Sequence, residues 1–247
     1  MNRRKLLEQC RKLLKAYHDS SLGNCRMPED TNPGFSDSQA EERLAYFTLP
    51  MSLNYQRDSY KLWEAALKTF QDIETRPVFI IKQAASLPES ELREKLLKYK
   101  LALQPNKHIQ TWKTIIQTIQ ENWGTIENLF RAAGNDFLKL KDIVQNKHKK
   151  GFPYLSGPKI FNYWSFIAST YGKVTMLNRQ FIEIAPDTHI TKCSVLLGVI
   201  DEEEAGKLSK EKISERWREV LSGTEINPID MHPPLWFWSR NDFNFKV

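Results

Sequence analysis

The amino-acid sequence predicts an all-α fold, for three reasons. Apolar residues recur at spacings of three and four along most of the chain, which places them on one face of a helix. Capping residues and glycines stand at the ends of several of these segments. No two alternating apolar runs are joined by Asn-Gly or Asp-Gly, as in a β-hairpin, and no internal repeat is visible.

The composition allows a sizeable core and a modest basic surface. The chain has 247 residues, 40% of them apolar, which suffices for one large domain or two small ones. Its 36 basic and 30 acidic residues give a net charge of +6. This excess favours a polyanionic partner, although solubility alone is the more common explanation of such a charge.

The three cysteines indicate neither a disulfide framework nor a metal site. Cys10, Cys25 and Cys193 are odd in number and widely spaced, and an iron–sulfur cluster usually takes four cysteines. We therefore expect a cytoplasmic protein without a cofactor or a protein-held catalytic metal. The basic N-terminus lacks the apolar stretch of a signal peptide, and no window is apolar enough to span a membrane.

The first half of the chain predicts a series of amphipathic helices. The first carries its apolar stripe from Leu6 to Tyr17, and a polar loop over residues 18–39 follows, either a clamp or slack chain. Further helices are predicted over residues 59–73, 77–87, 89–103, 108–123 and 125–134. Thr125 is the expected N-cap of the last of these, and Gly134 is expected to end it.

Lysines dominate the stretch from residue 139 to 159. A single acid, Asp142, stands among six of them: Lys139, Lys141, Lys147, Lys149, Lys150 and Lys159. In "FPYLSGPKI", Ser156 is predicted to cap a helix, Pro158 fits its first turn, and Gly157 permits a close backbone approach. Lysine side chains that precede a helix, together with the free backbone N–H groups of its first turn, favour phosphate binding. An ordinary connection between two helices is the more common explanation of these features taken alone.

Lys159 and Asp187 have the properties of a catalytic pair. Lys159 lies in the first turn of a predicted helix, where the helix dipole disfavours a charged amine, and Phe161 and Tyr163 are apolar neighbours. Both effects favour the neutral amine that a nucleophile requires. Asp187 follows Pro186 and is predicted to cap the next helix, which would keep its carboxylate ionised and fixed.

These segments resemble the helix-hairpin-helix DNA glycosylases. "APDTHITKCSVLLG" is the most specific match, since Asp187 stands where the family has its essential aspartate and Leu197-Gly198 close the helix. "FPYLSGPK" is similar to the family's L-P-G-x-G-x-K hairpin but has one glycine, Gly157. Together with "GPKIFNYW" it looks most like the archaeal 8-oxoguanine DNA glycosylase branch, which lacks an iron–sulfur cluster. The similarity covers about residues 150–200.

The resemblance implies a single glycosylase-like domain over residues 1–247, built as two helical lobes with a central cleft. It also implies an enzyme that flips a base out of duplex DNA and breaks its glycosidic bond. Asp187 would stabilise the oxocarbenium character of the sugar. Lys159 would attack C1′, form a Schiff base and permit strand cleavage by β-elimination.

Other side chains are expected to hold the base or the DNA backbone. Aromatic rings and polar side chains suit a base pocket, and the archaeal branch uses a C-terminal acid and a tryptophan there. The expected pocket residues are Asn54, Gln56, Tyr163, Asp230, Trp236 and Trp238. The expected backbone contacts are Lys147, Lys149, Lys150, Ser156 and Gly157.

The sequence therefore predicts a monomeric, cytoplasmic DNA glycosylase acting on double-stranded DNA with a damaged or modified base. An 8-oxoguanine-like lesion and a bulky modified base such as glucosylated hydroxymethylcytosine of phage DNA are both open, so repair and antiviral defence are both open. Two alternatives stand beside this prediction. One is a nucleoside or nucleotide N-glycosylase of the queuosine-salvage type, and the other is a non-catalytic nucleic-acid-binding module.

Overall fold

The computed structural model of the chain describes residues 2–247, and helix is the main regular structure of these residues. The all-α prediction is confirmed, because this part of the chain contains no strand beyond one isolated bridge between Asp136 and Leu177. The helices are α1 Arg3–His18, α2 Ala40–Thr48, α3 Ser59–Gln71, α4 Ile81–Ser86, α5 Glu89–Lys98, α6 Lys107–Asn122, α7 Ile126–Ala132, α8 Phe137–Asp142, α9 Pro158–Thr170, α10 Thr188–Leu196, α11 Glu202–Lys207, α12 Lys210–Leu221 and α13 His232–Arg240.

The chain divides into two compact units. Unit 1 contains the residues up to Met27 together with Arg179–Val247, and unit 2 contains Pro28–Asn178. Unit 1 is therefore assembled from both ends of the chain, with α1 packed against α13. None of the helices within residues 2–247 is both long and apolar enough to cross a bilayer.

Unit 2 has an aromatic core around Tyr46 of α2. The Tyr46 ring lies 5.2–5.8 Å from the rings of Phe47, Trp63, Phe70 and Phe79. α9 packs on the same helix, and the Trp164 indole donates a hydrogen bond to Thr48 Oγ1 at 2.9 Å. The apolar stripes of the sequence thus meet in one core that fixes the orientation of α9.

Unit 1 has its core between α1, α10, α12 and α13. Leu13 and Trp217 are fully buried in it, and the Trp217 indole donates to Ser194 Oγ at 2.8 Å. The Cys193 thiol donates to the Leu235 carbonyl at 3.1 Å, which joins α10 to α13. Burial raises the pKa of Cys193 to about 12, so this thiol is neutral and structural.

The predicted helices are present, with three differences of detail. The helix predicted over residues 89–103 ends at Lys98, and Lys100 beyond it has a left-handed backbone with φ of 60°. The segment 77–87 is helical but broken, because the 3-10 helix Arg76–Phe79 ends before Ile80 and α4 begins after it. Ser156 is not the N-cap of α9, as the sequence suggested. The cap is Gly157, with Pro158 at the first position, because the backbone of Ser156 is held in the preceding turn by a hydrogen bond to the Phe152 carbonyl.

The segment 18–39 is folded against the protein in part. It contains the 3-10 helices Pro28–Asp30 and Asp37–Gln39. Met27, Pro28 and Glu29 are all buried. This stretch had the polar composition of a surface loop, so its burial is set by tertiary contacts.

Candidate functional site

The lysine-rich stretch of residues 139–159 forms a helix-loop-helix segment of unit 2. α8 continues as a π-helix over Ile143–Lys147, and a 3-10 turn over Lys149–Gly151 leads toward α9. Insertions of π-helix occur often at functional sites. Gly157 allows a tight turn before α9, since a Cβ there would lie 3.1 Å from the Tyr154 carbonyl oxygen.

The three predicted backbone-binding lysines line one surface groove. Lys147, Lys149 and Lys150 share it with side chains from the C-terminal half of α6. The loop packs closely on α6 at Gly151, because a Cβ on this residue would lie 2.5 Å from the Thr118 side chain. Lys147 is paired with Asp142 at 2.7 Å, whereas Lys149 and Lys150 are exposed.

Lys159 is exposed in the first turn of α9, as the second residue of the helix. One turn further along, Tyr163 stacks on Phe166 with ring centroids 5.9 Å apart. The Tyr163 hydroxyl donates a hydrogen bond to Glu29 Oε1 at 3.2 Å. The helix that carries the predicted nucleophile is therefore tied to a buried carboxyl group.

Glu29, which accepts this hydrogen bond, is a buried carboxyl group that the sequence did not indicate. It is fully buried, and its Oε1 also accepts a hydrogen bond from the Trp63 indole at 3.0 Å. Its Oε2 is buried and has no hydrogen-bond partner within residues 2–247. Burial raises the pKa of this carboxyl to about 7, against which the two hydrogen bonds act. Perturbed buried carboxyls of this kind occur often at functional sites.

Asp187 caps α10, as the sequence predicted. Its Oδ1 accepts a hydrogen bond from the Ile190 backbone N–H at 2.9 Å, and its own carbonyl accepts one from the Thr191 hydroxyl at 2.7 Å. Its Oδ2 accepts no hydrogen bond from any residue within 2–247. The side chain is half-buried. Asp187 therefore has one carboxylate oxygen fixed by the backbone and a second oxygen that is available to a ligand.

Trp236 lies close to the start of α10. Its ring meets the His189 ring edge-on at 6.0 Å, and the Arg240 guanidinium lies 4.5 Å from the Trp236 ring centroid. His189 Nδ1 forms a 3.0 Å hydrogen bond with Ser239 Oγ. Within unit 1, the half-buried Trp236 therefore contacts His189, which follows Asp187 by two residues.

The other two C-terminal pocket residues have different surroundings. Asp230 is paired with Arg179 at 2.5 Å, and its second oxygen accepts from the Asn227 amide at 2.8 Å. Trp238 is 5% exposed and donates to the Phe245 carbonyl at 2.9 Å. Both side chains already have partners inside unit 1.

Asn54 and Gln56 lie in the turn before α3. The Asn54 side-chain carbonyl accepts a hydrogen bond from the Ser59 hydroxyl at 3.1 Å, so its acceptor is used locally. Gln56 is exposed and has a left-handed backbone with φ of 51°. Tyr55, which lies between them and was not among the predicted site residues, is 45% exposed.

Comparison with models of known protein families and with curated proteins found no match for this chain. No group of three or more metal-ligating side chains occurs within residues 2–247. Lys159 belongs to unit 2 and Asp187 to unit 1. A functional assignment therefore depends on the local geometry of these residues and on the motif resemblance.

Proposed function

We propose that this chain is a DNA glycosylase that excises a damaged or modified base and leaves an abasic site. The observation that carries the proposal is the geometry of Asp187. A backbone N–H fixes one carboxylate oxygen, and the other accepts no hydrogen bond within residues 2–247. A fixed negative charge of this kind stabilises a cation without reorganising when the cation forms.

The proposed chemistry begins with cleavage of the C1′–N bond of the flipped nucleotide. The electron pair of the bond leaves with the base, and positive charge develops on C1′ and the ring oxygen of the sugar. The free oxygen of Asp187 would stabilise this charge. Water then adds to C1′ and gives its proton to the departing base, which leaves the abasic sugar. Alternatively, the neutral amine of Lys159 adds to C1′ and gives a proton to the departing base, and the C1′–O4′ bond then breaks to open the sugar ring and form the Schiff base.

The position of Lys159 in the first turn of α9, where the helix dipole disfavours a charged amine, supports the second route. The side chain is exposed, so Phe161 and Tyr163 do not desolvate it as the sequence suggested, and both routes remain part of the proposal. The groove lined by Lys147, Lys149 and Lys150 suits the DNA backbone, since its ammonium groups complement phosphates. Trp236 beside the start of α10 suits a stacking wall for the flipped base. The 8-oxoguanine-like and bulky cytosine substrates are both compatible with these features.

The alternatives from the sequence remain distinguishable. A nucleotide N-glycosylase would use the same carboxylate on a free nucleotide and would not need the lysine groove. A non-catalytic binding module would need the groove but no carboxylate with an unused oxygen. The presence of both features in one chain favours an enzyme acting on DNA.

The proposal is tested with duplexes that carry 8-oxoguanine or glucosylated hydroxymethylcytosine. We expect release of the base and, in the presence of borohydride, a covalent protein–DNA adduct. Asp187→Asn should reduce base release by at least a hundredfold, because asparagine caps a helix as well as aspartate but carries no charge. Lys159→Ala should abolish the adduct if the lysine route operates.

Matched variants control for helix stability. Asp58→Asn alters another N-cap aspartate, whose side chain accepts from the Lys61 N–H at 3.0 Å, and Lys82→Ala alters an exposed lysine at the second position of α4. Both should retain full activity. Base release that survives Asp187→Asn would contradict the assignment of Asp187. Release from a free nucleotide but from no DNA would favour the salvage alternative.

A further inference from the structure

Two tyrosines from separate loops form a surface pair in unit 2. The rings of Tyr55 and Tyr154 lie 5.7 Å apart at 31°. The Lys107 ammonium group lies 5.8 Å from the Tyr55 centroid and 5.0 Å from the Tyr154 centroid. Among residues 28–178, all of which the structure describes, Tyr55 is the one aromatic side chain that is exposed.

Both loops hold these rings in defined positions. Arg57 fixes the first loop, since its guanidinium donates to the Leu101 carbonyl at 2.7 Å and to the Lys100 carbonyl at 3.3 Å. Tyr154 has a left-handed backbone with φ of 61°, and its carbonyl accepts from the Gly157 N–H at 3.0 Å. A non-glycine residue in this conformation is strained, and such strain is concentrated at functional sites.

Lys107 keeps its charge available to a ligand. It forms no salt bridge with any acidic residue within 2–247. The contrast is Lys98, which also lies over a tyrosine, Tyr99, but is paired with Asp72 at 2.8 Å and Glu74 at 2.7 Å. The Tyr55 surface therefore combines exposed aromatic area with an unneutralised cation, and the Tyr99 surface does not.

We propose that Tyr55, Tyr154 and Lys107 form a stacking site for an unpaired nucleobase of a single-stranded segment. This platform, defined by these three residues, is a DNA contact additional to the site of base excision. It extends the proposed function by giving the chain a preference for DNA with unpaired bases.

Two features favour a nucleic acid over an acidic peptide. Every nucleobase has a π-face that stacks on tyrosine, and its phosphate provides the anion for the adjacent lysine. The loop that carries Tyr154 also carries Lys149 and Lys150 of the lysine groove, only a few residues earlier in the sequence. A continuous basic and aromatic loop fits a strand with alternating phosphates and bases.

The platform is tested by fluorescence anisotropy with the full chain and a labelled oligothymidylate of roughly 12 nucleotides. Tyr55→Ala should weaken binding on the order of tenfold, and Tyr55→Trp should preserve or strengthen it. Lys107→Ala should lower the slope of log K against log salt by about 0.7, since one phosphate contact is lost. Fully paired duplex should be affected much less by either tyrosine change.

Lys98→Ala is the matched control, because it removes the same charge from a lysine that acidic residues already neutralise. It should leave both the affinity and the salt slope unchanged. Tyr55→Leu separates stacking from apolar contact, since leucine keeps bulk without a π-face. Equal single-strand affinity in the wild type and Tyr55→Ala would overturn the platform, and so would displacement of the labelled oligothymidylate by polyglutamate as readily as by unlabelled oligothymidylate.

The platform and the proposed function fail in different ways. If the protein releases the base and Tyr55→Ala binds single-stranded DNA as tightly as the wild type, the platform is refuted and the glycosylase proposal is supported. If single-strand binding depends on Tyr55 but no duplex releases a base, the platform is supported and the glycosylase proposal is refuted. Absence of binding to any nucleic acid would overturn both.

Discussion

At the scale of single residues, Glu29 is the most unusual group in unit 2. It is fully buried, two donors share its Oε1, and its Oε2 has no partner within residues 2–247. An ionised carboxylate in such a position loses its hydration without full compensation. The negative charge of Asp30 acts in the same direction, and the buried Tyr46 phenol stays neutral because burial raises its pKa. The folded protein therefore favours the protonated form of Glu29.

Replacement of Glu29 by Gln should remove a pH dependence of stability. The pKa of Glu29 is raised from 4.5 to about 7 in the folded protein. Between these values the folded state retains a proton that the unfolded state has released. The free energy of unfolding of the wild type should therefore fall as pH rises from about 4.5 to 7, by on the order of 3 kcal/mol. Glu29→Gln should lack this decrease, because its amide does not titrate.

Urea unfolding at pH 5 and pH 8 measures the difference. Gln keeps an acceptor for the Trp63 and Tyr163 donors, so the variant should fold. Glu64→Gln, which changes an exposed carboxyl of α3, should follow the wild type at both pH values. A pH effect of the same size in the wild type and in Glu29→Gln would show that another group is responsible.

At the scale of elements, the connection from α8 to α9 positions the lysine groove. A π-helix and a 3-10 turn replace regular α-helix between them. The turn packs on α6 at Gly151, where a Cβ would lie 2.5 Å from both Thr118 Oγ1 and Thr118 Cγ2. The position of the lysines therefore depends on the contact between one glycine and one helix.

Gly151→Ala should displace this loop and weaken binding to duplex DNA. A clash of this kind costs about 1–3 kcal/mol. A rotamer change of Thr118 would not relieve the clash, because Thr118 Cβ itself would lie 3.0 Å from the added Cβ. Thr118→Ala should restore binding in part by removing the two nearest atoms. Unfolding free energies and duplex affinities of the single and double variants measure both effects.

Gly206→Ala is the matched control, because this glycine lies within α11 and a Cβ there would have no neighbour within 4 Å. Alanine should stabilise that helix by about 0.5–1 kcal/mol and leave DNA binding unchanged. Normal duplex affinity in Gly151→Ala would show that the groove does not depend on this contact.

At the scale of the whole molecule, unit 1 depends on the two ends of the chain. Leu6, Cys10, Leu13 and Ala16 of α1 are buried, and α1 packs against α13. The Arg3 guanidinium donates to the Val220 carbonyl at 3.0 Å, which adds a polar contact to α12. The helix that Asp187 caps is therefore supported by a core that the N-terminal helix helps to form.

Leu13→Ala should destabilise unit 1 by about 2–5 kcal/mol, because it removes a fully buried side chain and leaves a cavity. Hydrogen exchange should become faster in α10 and α13 and change much less in α6 of unit 2. Lys12→Ala, which alters an exposed neighbour on the same helix, should have little effect on either unit. Equal acceleration in α6 and α13 would show that the two units unfold together.

Several helices and two of their caps could be predicted from the sequence, whereas α2, α8, α11, α12 and α13 were not predicted. Thr125 and Asp187 both cap the helices that follow them, with bonds to the N–H groups of Asn128 and Ile190. Periodicity and capping involve residues within one or two turns of each other, so they can be read from the chain. The groove lysines were also predictable, since they are close together in the sequence.

Contacts between polar and aromatic residues that are distant in the sequence could be identified from the folded protein alone. It buries Glu29 from a polar loop beside Trp63, and it encloses Trp238 while leaving Tyr55 exposed. It also pairs Tyr55 with Tyr154, nearly a hundred residues later. These contacts depend on how separate helices pack, and the burial of one side chain depends on all its distant neighbours. Such packing therefore cannot be predicted from residues that are neighbours in the sequence.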